Sequence, residues 1–311
     1  PSYKGKIVVM TYPHIGNYGD DDAWSEAGPE KPRATNEVKV AGFVVRALYT
    51  GPVPEGRESL NSFLGEHDIT GISNIDTRRL TLRIRDGGSP NGVIVRTERG
   101  VLKENDMKTV RSFLDSFPAM EGRNLVSEIG TKEHLVTGEG APHICLIDSG
   151  VKANIVREFQ ELGCKVSCVG NAATIDEVAA LKPDAVLFAN GPGDPAVLGD
   201  LVALARKLIG RMPVFGICLG HQIIAQALGA KTYKMKFGHH GVNNPVRDEE
   251  TGAILITSQN HGFAVDETTL PKDVTVRFRN ANDKTVEGLQ HRKLPVFCVQ
   301  FHPEAAPGPR D

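Results

Sequence analysis

Pro213-Val214-Phe215-Gly216-Ile217-Cys218-Leu219-Gly220-His221-Gln222 sets a cysteine between two glycines where an apolar strand pattern gives way to a helical one. Gly-x-Cys-x-Gly at a strand-to-helix turn is the spacing of a nucleophile elbow with Cys in place of Ser. The glycines permit a tight turn and leave room beside the sulfur. The start of the following helix brings free amides and partial positive charge, which favour a thiolate and can hold a developing oxyanion. The bland alternative is a small buried cysteine at a strand end. A second group decides between the two.

That group is Gln300-Phe301-His302-Pro303-Glu304, which follows another apolar strand pattern. His302 would emerge at a strand end, where doubly wound sheets bind ligands. Glu304 can hold the ring nitrogen that faces away from the thiol, fixing tautomer and orientation, with the rigid Pro303 restricting the geometry. Alone, His-Pro-Glu reads as a surface turn. With a cysteine elbow in the same segment it reads as the rest of a triad. Asn190-Gly191-Pro192-Gly193-Asp194-Pro195 has the glycine spacing of a dinucleotide fingerprint, but its prolines obstruct a direct turn into a helix and no acid follows the next strand. A loop presenting backbone amides beside the thiol fits better. His239-His240 invites a metal reading, yet adjacent histidines seldom face one ion and no matching Cys or carboxylate spacing accompanies them. A structural or loop-ordering role is preferred, and no metal ligands are assigned. Cys164 and Cys168 have no second ligand pair nearby. Their even separation in a strand pattern points both to one buried face.

The elements that must carry these residues alternate. HICLID (143–148), KVSCV, AVLFAN (185–190) and PVFGIC read as strands. Helical patterns follow at Lys152–Leu162, Ile175–Leu181, Asp200–Ile209 and Gly220–Leu228. Four strand–helix cycles predict a doubly wound, mostly parallel sheet with flanking helices. After Gly252 come strand patterns (AILIT, VTVRF, PVFCVQF). The front half is less regular and reads as a smaller α/β domain: residues 17–37, including Trp24, form a polar surface excursion, and IDTRRLTLRIRDGG a helix stopped by Gly87-Gly88 with its arginines facing solvent. The predicted division is 1–130, a Gly/Pro-containing linker 131–142, and 143–311.

Composition agrees with two domains in 311 residues. Apolar residues at 40% and charged residues at 24% support a packed core. Lys plus Arg (36) nearly balances Asp plus Glu (38), giving −2 and no global basic field for nucleic acid or an anionic membrane. No apolar run approaches the ~20 residues of a membrane-spanning helix. Five unclustered cysteines argue for a reducing, cytoplasmic setting. The chain opens Pro1-Ser2-Tyr3 without Met, so its start reads as trimmed and a leader is left open.

Gly-Pro-Gly-Asp-Pro, Gly-Ile-Cys-Leu-Gly-His-Gln and His-Pro-Glu, in that order over 143–311, resemble the class I, triad-type glutamine amidotransferases. Thr11-Tyr12-Pro13-His14-Ile15-Gly16-Asn17, Asp76-Thr77-Arg78, Lys234-Met235-Lys236-Phe237-Gly238-His239-His240-Gly241, Asn260-His261-Gly262-Phe263-Ala264-Val265-Asp266 and Pro303-Glu304-Ala305-Ala306-Pro307-Gly308-Pro309 resemble the small, glutaminase subunits of carbamoyl-phosphate synthetases. The resemblance implies that Cys218 attacks the glutamine amide and that His302, held by Glu304, shuttles protons. It further implies that Leu219 and the Gly191–Gly193 loop serve the oxyanion or substrate, and that Gln222, Asn260, Gly262 and Phe263 grip glutamine. It implies no cofactor in this chain, with ATP and its metal ions on a large partner subunit. That partner would receive ammonia to make carbamoyl phosphate for arginine or pyrimidine synthesis, or both, and the front domain would form much of the surface it binds. Ser149 departs from the family's aromatic after Asp148. The family also has a β-segment before Pro1, with a glutamine-contacting Ser, and a helix after Asp311. A chain without the former is expected to bind glutamine more weakly. A free-standing glutamine or γ-glutamyl hydrolase and a non-hydrolytic regulatory subunit are the competing readings.

Overall fold

A computed structural model describes residues 2–12, 14–19, 38–97, 100–129 and 134–305. Trp24, most of the 17–37 excursion, Pro13 and the 306–309 end of the last motif lie outside them. Two compact units divide the described chain: residues 3–19 with 38–120, and residues 121–305 with Ser2.

The front unit contains β1 (Ile7–Val9), β2 (Gly42–Val44), α1 (Leu60–Glu66), β3 (Gly71–Ile72), α2 (Thr77–Gly87) and α3 (Glu104–Ser116). Its strands form a three-stranded parallel sheet in the order β1-β2-β3. The helix expected in IDTRRL… is α2. The Asp76 side chain accepts from Arg79 N at 3.0 Å to cap its start, and Gly88 ends it at φ 91°. Arg78, Arg79, Arg83 and Arg85 are exposed.

The second unit runs β4 (Leu135–Thr137), β5 (His143–Asp148), α4 (Ala153–Glu161), β6 (Lys165–Gly170), α5 (Ile175–Ala180), β7 (Ala185–Phe188), α6 (Gly199–Leu208), β8 (Val214–Ile217), α7 (Leu219–Ala227), β9 (Lys231–Asp248), β10 (Ile254–Asp266), β11 (Val274–Asn280), β12 (Val286–His291) and β13 (Val296–Val299). They build one ten-stranded sheet, β10-β9-β11-β12-β13-β8-β7-β5-β6-β4. Its centre, β13-β8-β7-β5-β6, is parallel, and every other pairing is antiparallel. The doubly wound expectation therefore holds at the centre, and long antiparallel strands extend it.

The apolar runs explain this centre. In β5, Cys145 and Ile147 pack into one core layer with α5, α6 and α7, while Ile144 and Leu146 pack into the other with α4. In β7, Val186 and Phe188 face the first layer, Ala185 and Leu187 the second. Strands buried on both faces need continuous apolar sequence, which these have. Cys164 and Cys168 share the α4 layer, as their spacing predicts.

Three features depart from the sequence pattern. Residues 135–137, inside the expected linker, form the sheet's antiparallel edge on β6, and the units divide after Met120. Three residues are too short a run to show periodicity. β9 was not predicted, because Gly238, Gly241 and Pro245 interrupt its alternation and its pairing with β10 contains two register shifts. β12 (VEGLQH) was hidden by Glu287, a charge at a fully buried position.

Candidate functional site

β8 becomes α7 through Cys218, which caps the helix at φ 55° and ψ −104°, a conformation that residues with a side chain rarely hold. The two flanking glycines are required by crowding. A Cβ on Gly216 would meet the Gly220 backbone at 2.6 Å, and one on Gly220 would strike the Phe188 carbonyl at the end of β7. The turn is thus pressed against the neighbouring strand. Cys218 N donates to Val299 O at 2.9 Å, tying the elbow to the end of β13, and Cys218 Sγ lies 3.9 Å from Asn260 O.

His302 follows β13, and its backbone N donates to Ser258 O at 2.9 Å. Its Nδ1 is 2.7 Å from Glu304 Oε1, so the carboxylate accepts the Nδ1 proton and leaves Nε2 on the opposite edge of the ring. That Nε2 is buried and makes no hydrogen bond, and Cys218 is near enough to act on the ring's charge. Lys152 Nζ, from the turn after β5, lies 3.4 Å from the same Glu304 oxygen. His302 and Glu304 are 4% and 5% exposed, so each charge depends on the other. Burial works against a charged His302, but Glu304 and Cys218 outweigh it and push the ring up to about 9. Burial likewise opposes the Glu304 carboxylate, yet His302 and then Lys152 hold it below the usual range.

Of the other predicted residues, Gly191 and Asn260 lie against the elbow, and Gln222 joins α7 to Phe263. Leu219, the first residue of α7, is buried, and a Cβ on Gly191 would meet its Cδ2 at 2.7 Å, so the Gly191–Gly193 loop lies against the elbow. Gly193 has φ 93°, and Asp194 fixes the loop by accepting from Gly122 N and Ala196 N, both at 2.9 Å. Gln222 Nε2 donates to Phe263 O and Gln300 Oε1, both at 2.8 Å, which joins α7 to β10 and to the segment before His302. Asn260 presents its backbone carbonyl to Cys218, while its side-chain Oδ1 lies 3.0 Å from His240 Nδ1. Phe263 is buried with Lys234 Nζ 5.7 Å from its ring centre, and Gly262 also sits beside Lys234.

Sequence reasoning missed Lys152 and Gln300. Lys152 follows directly on the β5 pattern, and a strand end in such a sheet is the one signal that could have marked it. His239 and His240 part company: His240 is exposed, whereas His239 is buried with Gln259, His261 and Glu287. Among the described residues, His239, His261 and Glu287 are the His, Cys, Asp and Glu side chains whose donor atoms converge closely enough to hold a metal ion.

Two family models match the chain. The carbamoyl-phosphate synthase small chain, CPSase domain, matches residues 1–94, and glutamine amidotransferase class-I matches residues 145–311. Similar curated proteins are the carbamoyl phosphate synthase small chains of Akkermansia muciniphila (47% identical over all of this chain and 83% of that one), Methanocaldococcus jannaschii (44%, all of this chain and 84% of that one) and Aquifex aeolicus (42%, again all and 84%).

Proposed function

Because this chain belongs to the carbamoyl-phosphate synthase small chains, with a class-I glutamine amidotransferase unit, we propose that it hydrolyses glutamine by a Cys218-His302-Glu304 triad and delivers the ammonia to a large ATP-dependent subunit. The observation that carries the reading is a strained cysteine elbow bonded to the end of the very strand that leads into His302.

In this reading Cys218 Sγ attacks the carboxamide carbon of glutamine. The tetrahedral oxyanion forms beside the start of α7 and the Gly191–Gly193 loop, whose backbone amides are the available donors. His302 Nε2 gives its proton to the departing ammonia, leaving a glutamyl thioester on Cys218. The same nitrogen then takes a proton from water, which attacks the thioester and releases glutamate. Glu304 holds Nδ1 throughout, and Gln222, Asn260, Gly262 and Phe263 shape the substrate side. The steps assigned to these residues require no metal or organic cofactor, and ATP with its metal ions belongs to the large subunit. The large subunit would use ATP to activate bicarbonate for attack by this ammonia and to phosphorylate the resulting carbamate, giving carbamoyl phosphate for arginine or pyrimidine synthesis, or both. No described helix is long and apolar enough to cross a membrane, and a cytoplasmic site is part of the proposal. So is a partner surface on the front unit.

The test uses Cys218→Ser in complex with a large subunit, with amide-¹⁵N glutamine or ammonium as nitrogen source. The hydroxyl is a far poorer nucleophile, so glutamine-dependent synthesis is expected to fall by roughly 10⁶-fold, the scale of losing a triad nucleophile. Synthesis from ammonium should survive. Normal use of glutamine by the variant would remove Cys218 as nucleophile. Failure of ammonium in an assembled variant complex would remove the ammonia-delivery role. Steady glutaminase turnover with no response to a large subunit would favour a free-standing hydrolase.

A further inference from the structure

Behind the strand that carries Asn260, four donor atoms from three strands converge. His239 Nδ1 on β9 lies 3.2 Å from His261 Nε2 on β10, 3.1 Å from Gln259 Oε1, also on β10, and 3.1 Å from Glu287 Oε1 on β12. His261 Nε2 is 2.8 Å from Gln259 Oε1. The residues are 7%, 4%, 2% and 0% exposed in the order His239, His261, Gln259, Glu287.

The far side of each ring fixes where its proton sits. His261 Nδ1 is 2.8 Å from Phe263 O, a backbone carbonyl that can only accept, so Nδ1 donates and the neutral ring turns a bare Nε2 lone pair inward. His239 Nε2 lies 2.8 Å from Asp283 Oδ2 and donates to it, which turns Nδ1 inward. Gln259 is oriented by Nε2 donating to Thr257 Oγ1 at 3.2 Å, which leaves Oε1 facing the rings. Glu287 Oε1 also receives Asn280 Nδ2 at 3.3 Å and Thr285 Oγ1 at 3.4 Å, while its Oε2 is buried with no partner. Among the described residues no Lys or Arg pairs with Glu287. The bare lone pair of His261, an amide oxygen and a carboxylate cannot all face His239 Nδ1 in the interior without a positive centre among them. That centre is either a proton on His239, whose ring burial lowers but Asp283 and Glu287 push up to about 9, or a metal ion in its place.

The spacing suits such a centre. A tetrahedral zinc site with bonds of about 2.0–2.1 Å has ligand atoms about 3.3 Å apart. The three distances from His239 Nδ1, 3.1–3.2 Å, lie close to that, and the 2.8 Å between His261 and Gln259 is about 0.5 Å shorter. Imidazole to carboxylate and imidazole to backbone carbonyl are the outer bonds that orient metal-binding histidines. We propose that His239, His261, Gln259 and Glu287 form a closed, structural Zn²⁺ site that pins Gln259–Phe263 to β9 and β12. The site is distinct from the Cys218 group and stands whether or not the chain hydrolyses glutamine.

The test is the zinc content of the untagged full chain, measured by plasma mass spectrometry after gel filtration, followed by Co²⁺ substitution. The expected results are about one zinc per chain, a lower melting temperature after chelation that Zn²⁺ restores, and visible absorption from four-coordinate Co²⁺. Glu287→Gln should weaken binding at least tenfold. Asp283→Asn, which loses only the outer bond, should weaken it about 10–100-fold, and His134→Ala, at an exposed position, should leave it unchanged. Should a variant fail to fold, the content and Co²⁺ spectrum of the unaltered chain decide. A chain that holds no stoichiometric metal and takes up neither Zn²⁺ nor Co²⁺ would overturn the site and leave a proton on His239 as the positive centre. Metal retained in Glu287→Gln but lost in His134→Ala would overturn it equally.

Discussion

Cys218 N donates to Val299 O at 2.9 Å, three residues before His302. The parallel register of β8 on β13, in which Ile217 faces Val299, therefore brings Cys218 and His302 to adjacent strand ends. From there α7 and the post-β13 turn only aim their side chains.

Glu304→Gln should cost on the order of 10⁴-fold in glutamine hydrolysis, because an amide in place of the carboxylate allows the wrong His302 tautomer and no longer stabilises the charged ring. It should also change the pH dependence of stability. His302 is raised from an ordinary value near 6.5 to about 9, so its contribution is fully present below 6.5 and is lost as pH rises through 9. Glu304 is lowered, so its contribution is present above the ordinary carboxylate range and is lost as pH falls through its folded value. Melting temperatures from pH 6 to 10 should fall less steeply in the variant. An unchanged alkaline slope would refute the coupling.

Lys152→Met should act through Glu304 rather than on substrate. Its ammonium is 3.4 Å from the carboxylate and is one of the groups that hold it down. Removing it should raise the acid limb of the kcat profile by about one pH unit, with little change in KM. A pure KM effect would instead put Lys152 in contact with glutamine.

Gly220→Ala should abolish the elbow geometry, because the added methyl meets the Phe188 carbonyl and neither backbone can give way cheaply. A loss of about 1–3 kcal/mol or more is expected, with activity lost beyond the change in stability. Gly199→Ala is the matched control: nothing lies within 4 Å of its Cβ position, and it sits in α6. Alanine there should be neutral or stabilise by about 0.4–1 kcal/mol. Denaturation midpoints of the two variants compare them directly.

His221 is buried on α7 with Nδ1 3.2 Å from Cys298 Sγ, and burial lowers it to about 3. The unfolded chain takes up its proton near pH 6.5, while the folded chain does not until about 3. Stability should therefore fall as pH drops through that window, with a slope approaching about 1.4 kcal/mol per pH unit from this residue. His221→Leu should flatten the acid side of the stability curve. A curve parallel to wild type between pH 6 and 4 would exclude the residue.

Local sequence determined the pieces whose physics is local. Apolar runs specify strands buried on both faces, Gly216 and Gly220 specify a turn that no larger residue could make, and an i, i+2 spacing across Pro303 puts Glu304 on the His302 ring. Strand ends in a parallel sheet then bring the cysteine and the histidine to one edge. Tertiary structure decided what depends on pairing between distant segments. The register of β9 on β10 sets His239 opposite His261, and Glu287 arrives from β12, so no spacing in the chain announces their convergence. The same holds for Lys152, which finds Glu304 only because β5 and β13 end on the same side of the sheet. Polar residues interrupted by Gly238, Gly241 and Pro245 hid β9 itself, since its alternation is broken where its bulges bend it.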